Sequence, residues 1–353
     1  MTKRALLIGI NYPGTSVELR GCVNDVRRMH RCLTDRYGFS NDNITVLIDT
    51  ETSGPQPTGK NIRDALNKLI ADGESGDTLV VHYSGHGTRL PTEEGVLDAT
   101  GFDECITPCD MNLITDNEFR DMVAEVKEGC RLTIISDSCH SGGLIEEAKE
   151  QIGESHVNHP KPPWFASLFA CMLATCGTSS SRRGRGGSPE RLTRDIKFKS
   201  EDGETVDRKT RSIPLDSYIA LFKEQTGQTD VKPGKIRQTL ADVFGQDSSP
   251  DVAMLSSSMK INGAGSKHPD NGILLSGCQT DQKSEDVHVV STGKAYGAFS
   301  DAIQTILSAT GKDKKITNRD IVVKARDILK RRKFRQRPGL YCHDRYVNEP
   351  FIC

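Results

Sequence analysis

Two stretches constrain this chain more than any others: TLVVHYSGHG over residues 78–87 and LTIISDSCHSGG over residues 132–143. Each opens as a short apolar, β-branched run of the kind that suits a strand buried on both faces of a parallel sheet. Each then breaks into small, polar and nucleophilic residues: Ser84, Gly85, His86 and Gly87 in the first, Asp137, Ser138, Cys139, His140 and Ser141 in the second. Ligands bind at the carboxyl ends of strands in open α/β sheets, so these exits bring a histidine and a cysteine to one functional edge. Cys139 is the candidate nucleophile. Successive side chains leaving a strand face opposite sides, which turns His140 away from Cys139 and favours His86 as the base. The backbone N–H groups of Gly87 and Cys139 sit in glycine-containing turns where they can meet a developing oxyanion. By the same period of two, Asp137 shares a side with Cys139, and Ser84 with His86.

The rest of the chain reads as alternating strands and helices. Strands are expected at Ala5–Ile10, Ile44–Ile48 and Thr78–Tyr83, a weak one at Cys105–Pro108, and another at Leu132–Ser136. Helices are expected at Leu19–Leu33, Asn61–Ile70 and Asp116–Val126, each with apolar residues at helical spacing. That alternation implies right-handed crossovers and a mainly parallel sheet flanked by helices. From about residue 148 the texture turns Ser-, Gly-, Pro- and charge-rich, including the run EDGETVDRKTR, and reads as a partly disordered insert. Within it, Asp216–Glu224 and Lys235–Phe244 carry partial helical periodicity, and residues 164–176 form an apolar cluster too short to span a bilayer. Regularity returns at Gly272 with the strand-like ILLSGCQ and helices over AYGAFSDAIQTIL and Arg319–Lys330.

Composition narrows the class. A net charge of −1 over 353 residues points to neither nucleic acid nor a membrane surface. Eleven cysteines, without CxxC pairs, argue against a disulfide framework or a zinc site and for a reducing compartment, expected to be the cytosol. The N-terminal strand begins too early to leave room for a signal peptide.

The His86 to Cys139 separation fits the caspase-type spacing of about fifty residues. YSGHG and DSCHSGG resemble the two catalytic motifs of the metacaspases, caspase-like cysteine peptidases of clan CD. RALLIGINYPGTSVELRGCVNDV, SGCQTDQ, AYGAFSDAIQTIL and PGLYCHD resemble that family too, over residues 1–153 and 271–353. A long insert without a Pro-rich or zinc-finger prodomain resembles the plant type II subgroup. The resemblance implies a caspase-like fold with a p20-like part over residues 1–153, a linker over 154–270 carrying an autoinhibitory segment, and a p10-like part over 271–353. It places Asp25 in the S1 pocket with Cys22 beside it. With Asp137 and Ser84, that pocket is expected to pair with a P1 Arg or Lys, and the caspase motif QAC[RQG]G is absent.

The family is generally calcium-activated, and the acids Glu93, Glu94, Asp98, Asp103, Glu104, Asp110 and Asp116 crowd the loops after His86. Calcium takes oxygen ligands, so Asp98, Asp103, Asp116 and Asn117 are the candidates, without EF-hand spacing. Gly95-Val96-Leu97 stands where members of this subgroup often carry further acids. The resemblance places an activation cleavage at Lys223, with Tyr218, Leu221 and Phe222 as apolar anchors holding Lys223 in the S1 pocket. The expected product is a monomeric, calcium-activated zymogen acting on proteins in stress, wounding or cell-death proteolysis. A catalytically silent caspase-like scaffold is the alternative from another class, and a redox-active thiol protein a third, though Cys139 has no CxxC partner.

Overall fold

The computed structural model describes residues 1–51, 53–91, 102–139, 149–153, 196–199, 204–250, 272–279 and 282–352. A seven-stranded sheet forms the centre, built from β1 (Lys3–Gly9), β2 (Ile44–Ile48), β3 (Thr78–Ser84), β7 (Arg131–Asp137), β8 (Glu150–Ile152), β11 (Ile273–Ser276) and β14 (Gly339–Cys342). Its order is β2-β1-β3-β7-β11-β14-β8. The first five strands are parallel, and β14 and β8 close one edge antiparallel.

Alternation along the strands decides which helices cover which face. Leu6, Ile8, Leu79, Val81, Leu132 and Ile134 look one way, onto α2 (Gly59–Ala71), α3 (Asp116–Ala124), α4 (Leu215–Thr226) and α5 (Ile236–Phe244). Ala5, Leu7, Val80, Ile135, Ile273 and Leu275 look the other, onto α1 (Cys22–Tyr37), α6 (Ala298–Ala309) and α7 (Asn318–Arg331). Side chains alternate between faces, so a fully apolar strand supplies both cores at once.

Several local signals act as expected. Thr58, Thr115 and Thr317 cap α2, α3 and α7 by accepting a backbone N–H three residues on. Gly38 ends α1 in the left-handed conformation at φ 68°. The structure starts α1 at Cys22 rather than Leu19, because the preceding residues are held elsewhere. Leu19 N–H donates to Asn11 O at 2.7 Å, and the N–H groups of Arg20 and Gly21 donate to Asp286 at 3.0 and 3.1 Å.

Two smaller sheets flank the centre. β4 (Gly87–Pro91), β5 (Phe102–Ile106) and β6 (Ile114–Thr115) form one, so the weak strand expected near Cys105 lies outside the central sheet. The other has the order β13-β12-β10-β9, joining β9 (Ile196–Lys199) and β10 (Thr205–Thr210) from the insert to β12 (Glu285–Val289) and β13 (Lys294–Gly297). The apolar run at residues 164–176 lies outside the described residues. No described helix is long and apolar enough to cross a membrane.

The described part of the insert is therefore structural. Tyr218 and Phe222 are fully buried beneath β4, and Tyr218 Oη donates to Met111 O at 2.7 Å. Tyr218→Ala is expected to lower the unfolding free energy by about 3–5 kcal/mol, as for other large-to-Ala core truncations. Denaturant unfolding checks this, and an unchanged midpoint would show that α4 is an appendage.

Candidate active site

The register of β3 on β7 sets Ser84 opposite Asp137. Two residues further along each strand stand His86 and Cys139, 1% and 0% exposed. His86 is fixed on three sides. Its N–H donates to Tyr12 Oη at 3.0 Å, its carbonyl accepts from Tyr83 Oη at 2.6 Å, and its ring lies 4.8 Å from the Tyr12 ring, centroid to centroid. Nε2 is 2.8 Å from Val17 O. A carbonyl can only accept, so Nε2 carries the proton and Nδ1 keeps its lone pair. Nδ1 is buried without a hydrogen-bond partner. Burial lowers the imidazole pKa to about 4, against the opposing pull of the Val17 and Arg211 main chain, so the ring is a neutral base at pH 7.

The Cys139 thiol is held by other groups. Its Sγ accepts from Ser284 N–H at 3.0 Å, lies 3.8 Å from Ser284 O, and is 4.0 Å from Thr210 Oγ1. Burial first, then the neighbouring Cys278, pushes the thiol pKa well up. His86 and Cys139 thus share the expected edge but are not hydrogen-bonded to each other. His140 lies outside the described residues.

The predicted pocket residues do converge, and they converge on Arg211. Its guanidinium is fully buried. Nη2 bonds Asp25 at 2.9 Å and Asp286 at 3.0 Å, while Nη1 bonds Ser84 Oγ and Asp137 O at 2.8 Å and lies 3.4 Å from the Asp137 carboxylate. Asp25 also accepts from Gly297 N–H at 3.0 and 2.9 Å. A Cβ at Gly297 would collide with Asp137 and Arg211, so glycine is what lets the backbone approach the pocket. Burial, helped by Asp137, raises Asp25 to about 7 against the downward pull of Arg211. Cys22 is buried beside them, and burial raises its thiol as well. Asp286 is a pocket carboxylate that the sequence reading missed.

The main chain of Arg211 is gripped as firmly as its side chain. Its N–H donates to Ser284 O and its carbonyl accepts from Gly87 N–H, both at 2.9 Å; Ile213 N–H donates to Gly87 O at 2.9 Å. The residues before it, β10, run antiparallel to β12. The Arg211 carbonyl thus rests on the Gly87 N–H, one of the two expected oxyanion donors.

Arg211 thus occupies the pocket in which Lys223 was expected. Lys223 lies on α4 and makes no side-chain hydrogen bond or ion pair to the described residues. The supposed anchors Tyr218, Leu221 and Phe222 pack into the core under β4 instead of against the pocket.

The metal candidates are partly engaged. Asp103 pairs with Arg237 of α5, and Glu104 lies 3.3 Å from Arg89. Asn117 Oδ1 accepts from Arg120, and Asn117 N–H donates to Asp116 at 3.0 Å. Burial, with Asp103 and Glu104 nearby, raises Asp116 to about 7. Asp110 faces the start of α2, accepting from Gly59 N–H at 3.0 Å. Glu93, Glu94 and Asp98 lie outside the described residues, and among those described no group of three or more His, Cys, Asp or Glu could hold a metal ion.

Comparison with known proteins finds relatives over the whole length of the chain. A family profile described as "Metacaspase, peptidase C14 domain" matches residues 3–148. Metacaspase-8 of Arabidopsis thaliana is 59% identical, and Metacaspase-4 of the same plant 49% identical, each over 100% of both chains. Metacaspase-1 of Schizosaccharomyces pombe is 42% identical over 41% of this chain. A crystal structure of protein GSU0716 from Geobacter sulfurreducens superposes with a TM-score of 0.56 at 18% identity, covering 99% of this chain and 98% of that one, a likeness of fold alone.

Because burial holds the His86 pKa near 4, below its ordinary 6.5, the ring should stay neutral from pH 8 to about pH 5. The unfolded chain binds that proton first, so acidification from about pH 6.5 toward 4 should destabilise the fold. Imidazole NMR of a Cys139→Ala chain reads the titration directly. A midpoint near 6.5 would show that the ring is solvated.

Proposed function

The chain belongs to the plant type II metacaspases and is a cysteine peptidase, and from that premise we propose that it is the zymogen of a calcium-activated endopeptidase cleaving after Arg or Lys. The observation that carries the reading is Arg211, whose guanidinium lies among Asp25, Asp137 and Asp286 while its carbonyl accepts from Gly87 N–H. Three carboxylates favour a cation and repel an Asp side chain, and paired contacts on both terminal nitrogens suit the fork of an arginine.

In the mechanism, His86 Nδ1 takes the proton of Cys139, and the thiolate attacks the carbonyl carbon of the residue seated in the pocket. The N–H groups of Gly87 and Cys139 stabilise the oxyanion. The protonated imidazole then gives its proton to the leaving amine, and water deprotonated by His86 hydrolyses the thioester. In the resting chain the thiol is hydrogen-bonded to Ser284, so activation must bring Sγ to Nδ1.

Self-cleavage in the linker belongs to the same proposal, with the Arg211–Ser212 bond as the first one cut. Calcium activation is proposed from the family's character, with Asp103 and Asp116 as two of its candidate ligands, although the described residues hold no cluster of three or more. Burial first, then the nearby Asp103 and Glu104, raises Asp116, and a bound cation would offset that cost. In the resting chain Asp103 holds Arg237 of α5, which ties these acids to the linker. The dyad, the pocket and its occupant all come from one chain, so we take the active unit to be a monomer. A cytosolic setting is proposed on eight described cysteines that are all free. A role in stress, wounding or cell-death proteolysis is proposed from the family's character alone. A silent scaffold is disfavoured because interaction alone has no use for a buried carboxylate pocket beside a neutral histidine.

Fluorogenic peptides ending in Arg, Lys or Asp decide the matter, tested with and without calcium. Arg and Lys peptides should be cleaved and Asp peptides ignored, and Cys139→Ala should abolish turnover. Asp286→Asn should raise KM for Arg peptides by at least about tenfold, since uncoupling a buried charge pair is costly. Turnover by Cys139→Ala, or preference for Asp, would overturn the reading.

A further inference from the structure

The peptide that enters the site from the N-terminal side is β10, and its side chains alternate. Three residues before Arg211 stands Arg208, paired in register with Val287 of β12. Its side chain is only 12% exposed and has surroundings of its own. The guanidinium carbon lies 4.0 Å from the centre of the Phe334 ring. Nη1 donates to Lys333 O at 3.3 Å and Nη2 to Arg332 O at 3.0 Å, and the Glu285 carboxylate is 3.6 Å from Nη1.

These partners belong to the body of the enzyme. Arg332 follows the last residue of α7, and Lys333 turns the chain at φ 60°. Two carbonyls therefore point out of a helix C-terminus, where the backbone dipole favours a cation. Phe334 offers a ring face and Glu285 a charge, so the four together match a guanidinium on its plane and on its edge. An ammonium could satisfy the charge, but it could neither stack on the ring nor reach both carbonyls at once.

We propose that Phe334, Glu285 and the carbonyls of Arg332 and Lys333 form a subsite for an arginine at the fourth position before the scissile bond of protein substrates. In the resting chain Arg208 fills it, and when β10 leaves, an incoming substrate strand pairs with β12 and takes its place. The inference rests on the peptidase reading, because it counts positions from the bond after Arg211.

Two measurements test it. For peptides Arg-Lys-Thr-Arg and Ala-Lys-Thr-Arg carrying a fluorogenic leaving group, the calcium-treated wild-type chain should favour the first by about tenfold in kcat/KM. Lys at the fourth position should fall between. Glu285→Gln and Phe334→Leu, which keeps an apolar side chain but removes the ring face, should each bring the Arg-to-Ala ratio close to one. In the uncleavable Cys139→Ala chain, Arg208→Ala should speed hydrogen exchange across residues 205–210 several-fold, with Arg208→Lys intermediate. Equal turnover of the two peptides by the wild type overturns the subsite and leaves the peptidase reading standing. Failure to cleave any Arg-terminated peptide overturns the peptidase reading, and the exchange result then decides whether the guanidinium site exists.

Discussion

The buried charge of Arg211 organises this molecule. Leaving an arginine unpaired in a protein interior is prohibitive, so its guanidinium can sit there only if carboxylates are brought to meet it. Asp25 comes from α1, Ser84 and Asp137 from the exits of β3 and β7, and Asp286 from β12. One side chain from the insert thereby ties together the N-terminal and C-terminal parts of the sheet. Asp286 extends the tie by accepting the N–H groups of Arg20 and Gly21 at the entrance to α1.

The same arrangement gives the candidate nucleophile and its candidate base separate partners. Arg211 is clamped by Ser284 and Gly87 on its main chain, and Ser284 N–H also reaches the Cys139 sulfur. The thiol is dry and its pKa is pushed up by burial, which keeps it protonated. His86 is held as the tautomer that can accept a proton at Nδ1. The proposed mechanism needs sulfur brought to nitrogen, and Asp103, one of the acids after His86, holds Arg237 on the linker side.

Much of this was legible in the residues. Two apolar runs that stop in small and nucleophilic residues predict parallel strands whose ends align, and the Ser84 to Asp137 register is that alignment. Helical spacing located α1, α2 and α3 to within a few residues. The insert was harder to read. TVDRKTR looks like a solvated charge run, because its charged side chains meet partners far away in sequence: Arg211 and Asp25 are 186 positions apart. Lys223 looked like the occupant because Tyr218, Leu221 and Phe222 surround it. Those residues are apolar for the sake of the core, and periodicity alone cannot tell a core face from a docking face. Asp286 was invisible for the same reason as Arg211, since a carboxylate on a short strand acquires meaning only from what stands opposite.

The central claim is that Arg211 rests in the active site as a substrate residue does. N-terminal sequencing of the first fragments formed after calcium addition tests it most directly. Ser212 as the new N-terminus is the predicted result; Glu224, produced by cleavage after Lys223 while the Arg211–Ser212 bond stays intact, would contradict it.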